Sequence, residues 1–78
     1  MSTQLMPACE ALAADPSRPL FRLHLARLRA MESQVMRTHE CIRINGYLSG
    51  LLEAGLISGE QIEAVNEEIG DFTWGPRP

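Results

Sequence analysis

Apolar residues recur at helical spacing through the middle of the chain. One row repeats every seven positions and consists of Phe21, Leu28, Val35 and Ile42. Spacings of three, four and seven residues place side chains on one face of an α-helix. No proline interrupts the chain between Pro19 and Pro76, and the apolar row keeps its phase past Asn45-Gly46. The pattern therefore predicts one long helix over about 18–54, with Asn45-Gly46 as the place for a kink because glycine costs about 1 kcal/mol inside a helix.

A short helix is predicted before this long one. Pro7 suits the first turn of a helix, since that turn does not need the amide hydrogen that proline lacks. The alanine-rich residues 8–14 have high helix propensity, and the two prolines at Pro16 and Pro19 end the segment. We therefore expect a helix over about 7–14.

Local stop and start signals follow the long helix. Gly55 stands where a left-handed residue commonly ends a helix. Ser58 and Gln61 have the spacing of a capping box, which predicts a third helix over about 59–69. Gly70 is expected to end that helix, and residues 70–78 are expected to form an irregular tail whose aromatic residues either fold back or stay exposed.

The lengths of these elements predict an assembly. A helix of about 37 residues is about 55 Å long, whereas its two companions reach only about 12 and 16 Å. They cannot cover the apolar stripe, and soluble monomers rarely expose a patch of that size. We therefore expect an all-α helical hairpin that assembles into a dimeric bundle. The predicted dimer seam consists of Phe21, Leu28, Met31, Val35 and Ile42. The alternative is a break near Asn45-Gly46, which would let a monomer fold back on itself.

Length and composition limit the chain to one domain. It has 78 residues, of which 45% are hydrophobic and 22% charged, so we treat 1–78 as a single helical domain with a small core. No apolar run reaches the length of a membrane span, and the first residues do not resemble a secretion signal. We expect a cytoplasmic protein.

Charge is distributed unevenly along the chain. Six of the seven basic residues, all arginines, lie between Arg18 and Arg43, whereas residues 44–78 hold six acidic residues and only Arg77. Two functions are compatible with this pattern. A protein-binding module would use candidates in the acidic end, namely Glu63, Glu67, Phe72 and Trp74. A nucleic-acid-binding regulator would use the arginine-rich face, namely Arg18, Arg22, Arg29 and Arg43. The net charge of -3 favours the first.

Candidate chemistry is sparse. His39 and Cys41 are close in sequence, but they point about 200° apart on a helix and cannot form a ligand pair or a nucleophile–base pair unaided. The sequence contains no glycine-rich phosphate loop and no Ser-His-Asp arrangement. We therefore expect no catalytic residues, no metal site, no cofactor and no enzymatic activity.

One segment resembles a known family. Residues 51–65 read Leu-Leu-Glu-Ala-Gly-Leu-Ile-Ser-Gly-Glu-Gln-Ile-Glu-Ala-Val and are similar to the SHOCT-type short helical hairpin. That resemblance implies an oligomerisation or accessory element. The whole chain also resembles small accessory proteins of bacterial plasmids and phages. The sequence thus predicts a bacterial, homodimeric protein-interaction module, an accessory factor or inhibitor of a larger target, with a small nucleic-acid-binding regulator as the alternative.

Overall fold

Four α-helices make up the part of the chain that the structure describes. The computed structural model describes residues 5–75, and within them it contains no strand and the helices α1 (Pro7–Ala13), α2 (Pro19–Ala30), α3 (Gln34–Glu53) and α4 (Gly59–Trp74). The all-α prediction is confirmed, and α1 ends within one residue of its expected end. None of these helices is both long and apolar enough to span a membrane.

The predicted long helix over 18–54 is wrong, because the chain leaves helical geometry at Met31–Ser33. Met31 and Ser33 both have extended backbone angles. The Ser33 side chain accepts a hydrogen bond from the amide of Met36 and so caps α3, although the distance is long at 3.4 Å. Arg37 Nε donates to the Met31 carbonyl oxygen at 2.7 Å, which stabilises the end of α2. These contacts satisfy two of the backbone groups that an interrupted helix leaves free.

The alternative break near Asn45-Gly46 does not occur. α3 is helical from Gln34 through Glu53 and includes both residues. Glycine weakens a helix by about 1 kcal/mol but does not by itself end one, and the buried residues Ile44 and Leu48 hold this part of α3 against the core.

The turn between α3 and α4 matches its sequence signals. Gly55 has a left-handed φ of 74°. Its amide donates to the Leu52 carbonyl, and the next amide donates to the Leu51 carbonyl, which together form a Schellman motif. Ser58 and Gln61 form both hydrogen bonds of the capping box. Both predictions are confirmed.

The sequence predicts that the third helix ends at residue 69 and that an irregular tail follows. Both predictions are wrong as far as Trp74, because α4 continues to that residue. Phe72 and Thr73 continue the inward face that begins at Val65, so further burial supports the extra turn. The left-handed glycine that follows the helix is Gly75, with φ 88°. Residues 76–78, the remainder of the predicted tail, lie outside the described residues.

The helices pack in a ring, in which α1 contacts α2, α2 contacts α3, α3 contacts α4 and α4 contacts α1. The radius of gyration is 12.0 Å, close to the value of about 11.5 Å for a compact chain of this length. The largest fully buried apolar side chains come from all four helices and the residue before α1: Met6, Cys9, Phe21, Leu28, Ile44, Leu48 and Val65.

This ring changes the argument for a dimer. The break at Met31–Ser33 lets α2 fold back on α3, so much of the apolar stripe is covered within one chain. We expected the monomer to fold back on itself only if the long helix broke near Asn45-Gly46. The break at Met31–Ser33, earlier in the chain, has that effect instead. Helix length no longer requires a second copy, and any dimer has to be argued from the surface that remains exposed.

Candidate interaction surfaces

The predicted dimer seam is divided by the fold. Phe21 and Leu28 are fully buried in the core, so they are not available to a second copy. Met31 is half-buried in the break between α2 and α3. Val35 and Ile42 are 65% and 64% exposed on α3. Two of the five residues thus remain on the surface, both on the same helix.

These two residues belong to a larger exposed surface, which we call the outer face of α3. At about 100° per residue this face lies opposite the buried face that contains Ile44 and Leu48. Its charged residues are Arg43 at its edge and Glu53 at its end. Its apolar and uncharged members, all exposed, are Val35, His39, Ile42, Gly46, Ser49 and Gly50.

The outer face of α3 has an uneven profile. Val35 and Ile42 supply bulk in its amino-terminal half, whereas the next turns carry Gly46, Ser49 and Gly50. A Cβ atom added at Gly46 or Gly50 would have no other atom within 4 Å. The backbone is therefore open to close approach by another helix at this part of α3.

Two further leucines are exposed on α2. Leu20 and Leu23 are exposed and stand one turn before His24 and Arg27 respectively. Both His24 and Arg27 contact Glu40 on α3. Since residues four apart lie on the same side of a helix, Leu20 and Leu23 lie on the α3 side of α2.

The acidic partner-binding candidates occupy a different surface, the outer face of α4. Glu63, Glu67 and Trp74 share this face with Glu60, and all four are exposed, Trp74 by 55%. None of the ion pairs among residues 5–75 includes these three carboxylates. The sequence grouped these residues by charge, and the helical extension to Trp74 places them on one face.

Phe72 does not belong to that surface. Its ring packs against the core, and the guanidinium carbon of Arg37 lies 4.6 Å from the ring centroid. Such cation–π contacts stabilise a partly exposed aromatic residue by about 0.5–1 kcal/mol. Phe72 therefore holds α4 against α3 and the preceding break.

A cleft lies beside Trp74, between α3 and α4. It has a volume of about 340 Å³ and is lined by Cys41, Asn45, Asn66, Glu67, Ile69, Gly70, Asp71, Trp74 and Gly75. A second groove of about 350 Å³ separates α1 from α4, and its lining includes Ala11, Leu12, Ile57, Gln61 and Ala64. Both clefts are shallow and open.

The nucleic-acid candidates are engaged within the chain. Arg22 Nε donates to the Ala13 carbonyl oxygen at 3.0 Å, at the end of α1. Arg29 lies 3.7 Å from Glu10. Arg43 pairs at 3.2 Å with Glu40 of its own helix, α3, whereas Arg22 and Arg29 of α2 contact α1, so the four arginines do not form one continuous row. Arg18 contacts only the backbone of its neighbour, the Ser17 carbonyl oxygen, at 3.0 Å.

Glu40 is a buried carboxylate that sequence reasoning missed. Its side chain is fully buried and contacts His24 at 2.6 Å, Arg43 at 3.2 Å and Arg27 at 3.6 Å. Burial opposes ionisation, but the hydrogen bond to His24 and the two guanidinium groups outweigh it and lower the pKa of Glu40. The sequence contained one indication of these ion pairs, because Glu40 lies three positions before Arg43 in an arginine-rich stretch.

Glu68 has a partner that its sequence position did not suggest. Its two carboxylate oxygens accept hydrogen bonds from the amides of Ala8 and Cys9, both at 2.8 Å. Because Pro7 has no amide hydrogen, Glu68 satisfies the free donors in the first turn of α1 and places a negative charge at the positive end of that helix. The charge of Glu68 is thus compensated by a helix end.

The two cysteines lie apart and are both buried. Burial and the neighbouring Glu68 carboxylate raise the pKa of the Cys9 thiol, and burial raises the pKa of Cys41. Such thiols stay protonated and react slowly. No group of three potential ligands that could hold a metal ion occurs in residues 5–75.

Comparison with known proteins adds no assignment to these surfaces. The chain matches no family model, no curated protein and no solved structure. Any function has to be inferred from the surfaces described above.

Proposed function

We propose that the protein is a non-enzymatic protein–protein interaction module that acts as a homodimer through the outer face of α3. One observation carries this proposal: Val35 and Ile42, two turns apart on one face of α3, are 65% and 64% exposed. Single exposed apolar residues are common on soluble proteins. Two large apolar residues side by side on one exposed helix face are typical of an interaction site.

Burial of this face supplies the driving force for association. Transfer of a Val, Leu or Ile side chain from water to an apolar contact contributes about 1.5–3 kcal/mol. Much of that gain is offset by the lost freedom of two molecules. A second copy is a suitable partner because it presents the same pair of exposed apolar residues.

The proposal is tested by sedimentation velocity over about 1 µM to 1 mM, the range in which a small interface dissociates. We expect the wild-type chain to shift from 8.7 kDa toward twice that mass. Ile42→Asp places a charge in the face and should keep the chain monomeric. Leu5→Asp is the matched control, since Leu5 is exposed before α1 and should leave the dimer intact. A wild-type chain that stays monomeric over the whole range contradicts the proposal.

A larger protein target would bind the outer face of α4. Glu63 and Glu67 offer negative charge beside the exposed Trp74, and an aromatic residue flanked by charge suits a partner with a basic surface. Dimerisation through α3 leaves this face free. In a functional assay in the native host, Trp74→Ala or Glu63→Lys/Glu67→Lys should abolish activity while sedimentation still shows a dimer.

The nucleic-acid alternative receives less support. Arg22, Arg29 and Arg43 each have a partner within the chain, and phosphate binding would have to compete with those contacts. A gel shift with duplex DNA and RNA at low salt distinguishes the two functions. Retardation that is lost on Arg22→Glu/Arg29→Glu would favour the nucleic-acid-binding regulator.

A further inference from the structure

We propose that the cleft beside Trp74, between α3 and α4, binds an arginine side chain of the protein target. This inference rests on the proposed protein-binding role of the outer face of α4 and specifies the chemical group that this face recognises. Three features of the cleft carry it: the charge of α4, the position of the indole ring, and the hydrogen-bond acceptors of the lining.

The charge of α4 favours a cationic ligand. This helix has five acidic residues and no basic residue, and Glu68 is the one whose charge the first turn of α1 compensates. Two of the others, Glu67 and Asp71, line the cleft, and its lining contains no arginine, lysine or histidine among the described residues. Neither carboxylate takes part in an ion pair within residues 5–75. A cation that enters the cleft therefore meets two carboxylates, one helical turn apart, that have no ion-pair partner there.

The indole ring of Trp74 is positioned beside these carboxylates. A Cβ atom added at Gly70 would lie 3.9 Å from both Cε3 and Cζ3 of the ring, so the ring packs over a helical position that has no side chain. Trp74 is still 55% exposed, which leaves indole surface for a ligand. A cation over the face of an aromatic ring is attracted to it, and tryptophan is the strongest of the aromatic side chains in this contact. The same chain forms such a contact between Arg37 and Phe72.

The lining favours arginine over lysine. It includes the amide side chains of Asn45 on α3 and Asn66 on α4 as well as the two carboxylates, and all four groups offer oxygen acceptors. A guanidinium group presents five N–H donors in one plane and stacks on aromatic rings, whereas an ammonium group is a point charge with three donors. The volume of about 340 Å³ is at the lower end of the range for ligand pockets, about 300–1,000 Å³, which suits one inserted side chain.

Trp74 itself reports on the cleft, because it is the only tryptophan of the chain and gives a single indole N–H resonance in heteronuclear NMR. The probe is a blocked pentapeptide with one central arginine, titrated at constant ionic strength. We expect a dissociation constant of about 1–10 mM, the range for one inserted side chain. A matched peptide with citrulline, which has a similar shape but no charge, should bind at least about fivefold more weakly. A lysine peptide should bind at least about twofold more weakly than the arginine peptide.

Paired variants locate the binding site. Glu67→Gln should weaken binding of the arginine peptide about three- to fivefold, because it removes a carboxylate of the lining. Glu60→Gln is the matched control, since Glu60 is exposed on the same face of α4 but lies about 10 Å from Glu67 along the helix. It should change the affinity by less than about 1.5-fold at an ionic strength of about 0.15 M. Trp74→Leu, followed at the amide resonance of Gly70, should weaken binding about threefold, because it removes the aromatic surface. Circular dichroism establishes that each variant is folded.

The titrations are repeated with Arg77→Gln, because Arg77 is the only basic residue after α3 in the sequence and could compete with the probe. No shift of the indole resonance in either background would overturn the inference. Equal affinity for the arginine, lysine and citrulline peptides, or equal effects of Glu67→Gln and Glu60→Gln, would also overturn it. Each of these results would leave the homodimer standing, and the host assay of Trp74→Ala would still test target binding by α4 separately.

Discussion

The imidazole Nδ1 of His24 on α2 lies 2.6 Å from the carboxylate Oε2 of Glu40 on α3, and the Glu40 side chain has no exposed surface. The two residues are 16 positions apart, on either side of the break at Met31–Ser33. Within residues 5–75 no buried side-chain nitrogen or oxygen lacks a hydrogen-bond partner. This polar contact therefore fixes the position of α2 on α3 without leaving an unsatisfied group.

Loss of the Glu40 charge should destabilise the fold. Glu40→Gln keeps the shape of the side chain but replaces a carboxylate that three cationic or hydrogen-bonding groups surround. We expect the free energy of unfolding in urea to fall by about 1.5–3 kcal/mol, the range for a hydrogen bond to a charged group. Glu32→Gln is the matched control, because Glu32 is exposed in the connection between α2 and α3 and should change stability by less than about 0.5 kcal/mol. Equal effects of the two changes would contradict the role assigned to Glu40.

The same residue should make stability depend on pH. The folded-state pKa of Glu40 lies below its ordinary value of 4.5, so its contribution is fully present above that value. It is lost as the pH falls through the lower, folded-state pKa, because protonation then removes the favoured charge. The difference in unfolding free energy between the wild-type chain and Glu40→Gln should therefore be constant from pH 7 to about 5 and shrink at lower pH. A difference that grows on acidification would reverse the assigned sign.

Two adjacent glutamates should differ in their effect on stability. Glu68→Gln removes the charge that binds the amides of Ala8 and Cys9, and we expect a loss of about 0.5–2 kcal/mol, the range for a helix cap. Glu67→Gln changes the exposed neighbour and should alter stability by less than about 0.5 kcal/mol. Thermal unfolding of both variants, followed by circular dichroism at one protein concentration, checks this expectation. A helical content that falls only for Glu68→Gln would indicate that α1 detaches first.

Replacement of two glycines by alanine should give opposite signs. Gly46→Ala should stabilise the monomer by up to about 1 kcal/mol, because the glycine is helical and its new Cβ meets no atom within 4 Å. Gly55→Ala should destabilise it by about 1 kcal/mol or more, since φ is 74° there. Unfolding in urea at low micromolar concentration measures both changes while the dimer is dissociated.

Gly46→Ala should also separate folding from association. If helices approach at Gly46, the added methyl group should weaken the dimer in sedimentation even though it stabilises the monomer. Unchanged or tighter dimerisation would place the closest approach elsewhere on α3.

Signals that act within a few residues were readable from the sequence. The capping box of Ser58 and Gln61 and the left-handed Gly55 depend on hydrogen bonds between near neighbours, so residue identity and spacing are sufficient to predict them. The break at Met31–Ser33 was not predicted. Ser33 lacks a glutamate or glutamine three positions later, and the seven-residue apolar row continues across it in phase.

The candidate interaction surfaces were also predicted only in part. Exposed apolar residues on α3 and acidic residues with Trp74 on α4 were both selected from the sequence, but Phe21 and Leu28 were assigned to a dimer seam that they do not reach. Periodicity identifies one face of a helix, and it cannot distinguish burial within a chain from burial between two chains. His24 and Glu40 could not be paired beforehand, because their contact exists only once α2 folds back on α3.

The sequence by itself determined that this chain is helical, where α1 begins and how α3 passes into α4, because those features depend on proline, glycine and capping residues over a few positions. Only the tertiary structure decided that the apolar stripe closes on itself. Two helices joined by three residues bury Phe21 and Leu28 against Ile44 and Leu48, and that burial, together with the ion pairs of Glu40, outweighs the helical hydrogen bonds lost at the break. It also decided which apolar residues stay outside, and those on α3 now define the surface proposed for a second copy.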